Sequence, residues 1–139
     1  MITHLVDTSA AARILTDDAV REVWQEQLSA GVIAICDVVE LEMLYSARSL
    51  ADRLDKVETF RETFSWAVTP DGVWARAHQV QQLLTERGEH RSAGAVDLLV
   101  AATAERNRLI LLHHDRDFDT VARATGQPTV WVAEPASAD

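Results

Sequence analysis

Apolar residues along this chain fall into two patterns, and the patterns alternate. Short continuous apolar or β-branched runs occur at Ile2–Val6, Val32–Cys36, Trp66–Thr69, Leu109–Leu112 and Thr129–Val132. Runs of this length bounded by polar residues predict strands buried on both faces. Between them lie amphipathic stretches with helical spacing. A helix is expected after Asp7, with Thr8 or Ser9 near its cap, and a second over Ala19–Leu28, stopped near Gly31. Asp37 is placed to cap a helix running to about Ser49, and another runs from Ser49 or Leu50 to Phe64. Pro70 and Asp71 open a long helix to Arg87, which Gly88 ends; Gly88–Ser92 is then a polar loop. Ala93–Asn107 is helical, and a short helix covers about Phe118–Ala124. Strands alternating with helices predict an α/β fold, with a parallel central sheet flanked by helices on both faces. No repeat or linker divides the chain, so a single domain is expected over 1–133, with 134–139 as a frayed tail.

Composition narrows the class. Of the 139 residues, 47% are hydrophobic and 25% charged, which argues for a packed globular domain against disorder. No apolar run approaches the roughly 18 residues that a membrane span needs. The start Met1–Asp7 lacks a basic segment followed by an apolar one, so no secretory signal is expected and the cytoplasm is the expected compartment. A lone cysteine, Cys36, excludes an internal disulfide and a cysteine-based zinc site. The formal net charge is −9. Bulk charge therefore opposes nucleic-acid binding, and a polyanion would need local basic groups or bound cations. Twelve of the thirteen basic residues are arginine, with Lys56 the exception; guanidinium suits bidentate phosphate contacts, though a GC-rich genome gives the same bias.

Several carboxylates stand where solvation does not explain them. Asp97 is the only ionisable group between Ala93 and Ala104, a helix apolar on all sides. Such a carboxylate must be paired, bonded to backbone, protonated or bound to metal. Asp7 follows the first strand, at the sheet's carboxyl edge, where open parallel sheets carry their sites; a simple helix cap is the alternative. Asp115 and Asp117 follow the strand Leu109–Leu112, and the first of them is better placed to reach over the sheet. His113 and His114 raise transition-metal binding, but neighbours on extended chain point opposite ways. At 100° per residue Glu42 projects between Val38, Val39 and Tyr45, whereas Glu40 projects towards Ala47; solvation of both is the alternative. Carboxylates about 5 Å apart repel by roughly 3 kcal/mol at an effective dielectric near 20. A cluster of three or four calls for a hard cation, Mg²⁺ or Mn²⁺, which in turn suits phosphodiester hydrolysis.

These residues resemble a known family. Leu5-Val6-Asp7-Thr8-Ser9-Ala10 resembles the opening of PIN domains, Glu40–Ser46 their second motif, Ala95–Ala104 their third, and Leu112–Phe118 their fourth. In the second motif a Glu precedes a small residue by four positions, which selects Glu42. In the fourth, Thr or Ser more often stands where this chain has His114. The wording is most similar to VapC-type toxins of bacterial toxin–antitoxin pairs. The resemblance implies a Mg²⁺-dependent endoribonuclease that cuts RNA, with Asp7, Glu42, Asp97 and Asp115 as catalytic metal ligands and Asp117 as an added or alternative one. It further implies a homodimer within a larger complex and inhibition by a cognate antitoxin that inserts a basic or aromatic segment over the acidic pocket. Ser9 is placed to orient a carboxylate, and Arg91 is either a phosphate contact or an exposed loop residue. Two other readings remain: a non-catalytic PIN-like binding module, and a receiver-type phosphoacceptor domain. The second needs a lysine near the site, whereas Lys56 sits in a charged mid-chain helix. An Asp-x-Asp phosphatase is disfavoured because Ser9 occupies the second position.

Overall fold

A computed structural model describes residues 1–135. Its elements run β1 (His4–Val6), α1 (Thr8–Thr16), α2 (Asp18–Ser29), β2 (Ile33–Ile35), α3 (Asp37–Leu44), α4 (Leu50–Thr63), β3 (Ser65–Trp66), α5 (Val73–Glu86), α6 (Ala95–Arg106), β4 (Ile110–His113), α7 (Arg116–Thr125) and β5 (Thr129–Trp131). The five strands form one sheet in the order β3-β2-β1-β4-β5. Every pairing is parallel, with Leu5 opposite Ala34 on one side and Leu111 on the other. The α/β expectation therefore stands. The chain winds outward from β1 through β2 to β3, then returns to pair β4 on β1's other edge. That reversal makes a crevice at the carboxyl ends of β1 and β4, the place where open α/β sheets bind ligands.

The sheet is covered on both sides, which is why its strands carry continuous apolar runs. Leu5, Val6, Ala34, Ile35, Leu111 and Leu112 are all fully buried. Helices α1, α2, α3 and α4 pack together, and α5, α6 and α7 form a second group. Right-handed crossovers put these groups on opposite faces. Ala10, Ala11 and Ile14 of α1 and Phe118 and Val121 of α7 turn inward at helical spacing and join the core.

Several boundaries differ from expectation: Cys36 rather than Asp37 stands at the N-cap of α3, α7 begins at Arg116 rather than about Phe118, and four others have a local reason. Helix α1 is capped by Asp7 rather than by Thr8 or Ser9, because its carboxylate accepts the Ala10 amide at 2.8 Å. Helix α3 stops at Leu44, not near Ser49. There the Ser46 hydroxyl donates to the Met43 carbonyl at 2.9 Å, and Ser49 caps α4. Strand β3 ends at Trp66 rather than Thr69, since the Val68 carbonyl is taken by the Asn107 side-chain amide at 2.8 Å. Helix α5 starts at Val73, after Gly72 in the left-handed region at φ 82°, where a Cβ would come 3.3 Å from the Arg106 guanidinium. Glu134 and Pro135 are exposed and without regular structure; the expected frayed tail otherwise falls on 136–139, outside the described residues. No helix of the described residues is long and apolar enough to cross a membrane.

Candidate metal centre

Asp7 leaves the end of β1, where its amide donates to the Leu112 carbonyl of β4 at 3.1 Å. The backbone is extended there, and the side chain folds back over the first turn of α1. The carboxylate is only 4% exposed. It accepts the Ala10 amide, and the Ser9 hydroxyl lies 2.7 and 2.8 Å from its two oxygens and donates to it. Burial pushes the Asp7 carboxyl up to about 6, against the pull of those donors, and the negative charge of Asp97 adds to the rise. Ser9 also accepts the His114 amide at 2.9 Å. One hydroxyl thus ties the end of β1 to the loop leaving β4.

That loop carries two aspartates. Asp115 caps α7, accepting the Asp117 amide at 2.9 Å, and its own amide donates to His113 Nδ1 at 3.2 Å. Asp117 therefore falls within the first turn of α7, beside Asp115. Asp97 comes from the opposite direction, in the first turn of α6, where its carboxylate accepts the Gly94 amide at 3.2 Å. Helix α6 is buried along most of Leu98–Ala104 as expected, but its first turn opens towards the crevice, with Ala95 exposed and Asp97 half-buried. Asp97, Asp115 and Asp117 each offer an oxygen within 4.8 Å of the other two. Burial raises the Asp97 carboxyl, and the charges of Asp115, Glu42 and Asp117 raise it further. Asp117 is raised by burial and then by Asp115.

Glu42 and Glu40 part company on α3. Glu42 is exposed, takes a hydrogen bond from the Thr8 hydroxyl, and its charge is felt at Asp97. Glu40 is buried, contrary to a solvated face, and its carboxylate accepts Arg61 of α4 at 2.9 Å. Arg61 also lies 5.0 Å over the Trp66 ring. The two glutamates therefore serve different ends: Glu40 is ion-paired with Arg61 and structural, while Glu42 stands at the crevice outside the ion pairs of the described residues.

Of the four carboxylates singled out from the sequence, Asp97 and Asp115 belong to the tight group. Asp7 adjoins it from a more buried position, and Glu42 borders it from α3. Asp117, left as an added or alternative ligand, is the third member of the tight group. None of the ion pairs among the described residues involves any of these five. The histidines are not part of the group. His113 is fully buried against Phe118 and Trp131, and His114 meets the Trp131 ring edge-on at 5.1 Å. Burial lowers the basicity of both. Arg91 is exposed in the loop before α6. Lys56 is ion-paired with Asp52 within α4 at 3.1 Å, which leaves the phosphoacceptor reading without its lysine.

The donor set fits a hard divalent cation. It consists of carboxylate oxygens only, three of them mutually close, outside every ion pair among the described residues, and with burial working against the charge of Asp97 and Asp117. At 4.8 Å each pair repels by about 3 kcal/mol at an effective dielectric near 20. A bound cation would convert that repulsion into attraction.

Comparison with known proteins points the same way. The PIN domain profile matches residues 4–124. The chain is 38% identical over 135 residues to Ribonuclease VapC21 of Mycobacterium tuberculosis, spanning 97% of each chain. It is 41% identical to Ribonuclease VapC18 of the same species, over 91% of this chain and 93% of that one. Among solved structures, the DNA-bound VapBC from Salmonella typhimurium superposes with a TM-score of 0.78 at 21% identity, covering 96% of this chain and all of its counterpart, a likeness of fold.

Proposed function

Since the chain belongs to the PIN-domain family, and within it to the VapC ribonuclease toxins of VapBC toxin–antitoxin systems, we propose that Asp7, Glu42, Asp97, Asp115 and Asp117 form its catalytic centre around Mg²⁺, with Mn²⁺ as a working substitute. The observation that carries the proposal is the triad of carboxylate oxygens within 4.8 Å, with no ion pair to quench it among the described residues.

Bound there, a divalent ion supplies Lewis acidity to a phosphate oxygen and lowers the pKa of water at neutral pH. Asp97, Asp115 and Asp117 hold it with their converging oxygens. Asp7 supplies charge from behind, and Ser9 keeps its carboxylate turned to the crevice. Glu42, the solvent-facing member, orients the water that attacks phosphorus in line with the departing oxygen. The scissile RNA phosphate enters from the open side of the crevice, over the first turns of α6 and α7.

An antitoxin that silences this centre must cover an acidic mouth, for which a basic or aromatic segment is the complementary chemistry. The homodimer has a candidate face beside the same mouth, where Leu41 and Tyr45 of α3 are 62% and 92% exposed.

The decisive experiment is Asp97→Asn. The variant keeps the Gly94 hydrogen bond and the fold, while RNA cleavage in Mg²⁺ buffer disappears. Full cleavage by a folded Asp97→Asn protein would overturn the site. Growth arrest on expression, relieved by Asp7→Ala, separates a nuclease from a non-catalytic binding module.

A further inference from the structure

An acidic protein that grips RNA needs a cation close to its acidic crevice that the crevice itself does not consume. Five of the twelve arginines are already taken. Arg48, Arg61, Arg76, Arg87 and Arg123 are engaged with carboxylates. Arg13 is exposed and takes part in none of the ion pairs among the described residues.

Its position follows from α1. The helix has three flanks. Ala10, Ala11 and Ile14 enter the core. Thr8, Ala12 and Thr16 line a groove towards α3 and α4. The remaining flank carries Ser9 and, one turn on, Arg13, since residues four apart share a face. Ser9 is bonded both to Asp7 and to the His114 amide. Arg13 therefore flanks the metal centre on the side of the loop leaving β4. Arg13 lies six residues beyond Asp7, about 9 Å along the helix axis, so it borders the crevice without closing onto it.

Resting on the ribonuclease reading above, we infer that Arg13 binds the RNA phosphate adjacent to the one being cut, and so sets KM rather than kcat. The fork of the guanidinium suits two phosphate oxygens at once. The carboxylates and their cation handle the scissile phosphate, and Arg13 holds the strand in register beside it. The local charge that bulk composition denies is supplied at one point.

The test is cleavage of a dye-labelled oligoribonucleotide of mixed sequence in Mg²⁺ buffer by wild type, Arg13→Ala and Arg13→Lys. Arg108→Asn is the control, because Arg108 precedes β4, at the opposite end of the sheet, and its φ of 58° suits Asn. Arg13→Ala is expected to raise KM about tenfold with kcat within about twofold, and Arg13→Lys to fall between. The slope of log(kcat/KM) against log salt should flatten by about 0.7, the loss of one single-strand phosphate contact. Binding of the same RNA by anisotropy, in an Asp97→Asn background, should weaken by the same factor. Arg108→Asn should leave all of these at wild-type values.

An unchanged KM and salt slope in Arg13→Ala, with wild type active, would overturn the inference and leave the ribonuclease intact. So would a lowered melting temperature with unchanged KM, which would make Arg13 a helix-end residue only. Wild type that cleaves no RNA, indistinguishable from Asp97→Asn, would remove the premise and the inference together.

Discussion

Asp7→Asn should make the metal-free protein more stable while destroying its activity, and the size of the gain follows from the site. Asp7 is 4% exposed, and burial lifts its carboxyl from an ordinary 3.8 to about 6. That difference is worth about 3 kcal/mol at roughly 1.36 kcal/mol per pH unit. The sign is set by proton binding. Between 3.8 and about 6 the folded protein binds more protons at this group than the unfolded chain does, so stability falls as pH rises through that window. The native state therefore carries the full penalty above about 6 and none of it below 3.8. Asparagine removes the charge, remains a good helix cap, and can still accept from Ala10 and Ser9. Its buried amide N–H₂ lacks a fixed partner, which costs about 1 kcal/mol. The net expectation is about 2 kcal/mol of added stability in chelator at about pH 8, or roughly 6 °C in Tm. Urea unfolding monitored by tryptophan fluorescence measures it, run in parallel at about pH 4.5 where the gap should close or reverse. Adding Mn²⁺ should stabilise wild type more than the variant, because only the intact site gains binding energy on folding. A variant less stable than wild type in chelator at the higher pH, or a gap that ignores pH, would refute the claim that Asp7 is held ionised against its burial.

The neighbouring positions give further expectations. Ser9→Ala removes a donor to Asp7 and the acceptor for the His114 amide; it should cost about 2 kcal/mol in chemical denaturation and depress cleavage even where the protein is folded. Glu40→Gln should cost about 1 kcal/mol or less and leave RNA cleavage intact, whereas Glu42→Gln should cut cleavage at least tenfold; equal activity losses would contradict the division of labour on α3. Asp117→Asn should weaken Mn²⁺ binding by calorimetry about tenfold or more, and an unchanged affinity would remove Asp117 from the ligand set. In wild type, Mn²⁺ affinity should decline as pH drops below about 7, earlier than for ordinary aspartates, because the raised carboxyls must first lose their protons.

What the chain discloses on its own depends on whether the physics is local. The strands β1, β2 and β4 were legible because a sheet covered on both faces imposes unbroken apolar runs, and Leu5-Val6, Ile33–Ile35 and Leu111-Leu112 obey it. Asp97 stood out because no other charge shares its helix. Glu40 did not disclose its role, because its partner Arg61 lies 21 residues away on α4 and only the fold brings them together. Periodicity could separate the two glutamates by direction but could not say which would be buried. Asp7 was placed at the sheet edge with a helix cap as its alternative role, and one carboxylate serves both ends, accepting the Ala10 amide while facing the crevice. Asp117 was ambiguous for a similar reason. Its place beside Asp115 depends on α7 starting at Arg116, two residues before its apolar pattern becomes visible at Phe118.

The net charge of −9 ceases to be a paradox once charge is counted by location. Away from the crevice four acidic residues are paired with arginine or lysine among the described residues, Glu40 by Arg61, Asp52 by Lys56 and Arg48, Glu105 by Arg76, and Glu89 by Arg87 and Arg123, and most of the others are exposed singly on the surface. The five carboxylates around the crevice enter none of the ion pairs among the described residues, and three of them converge, which sets them apart from the scattered surface charge. On the proposed reading a divalent cation is drawn there, and with it the crevice becomes a place where a phosphate can lie. On the same reading that charge attracts whatever basic segment an inhibitor presents, so catalysis and silencing would compete for one electrostatic feature.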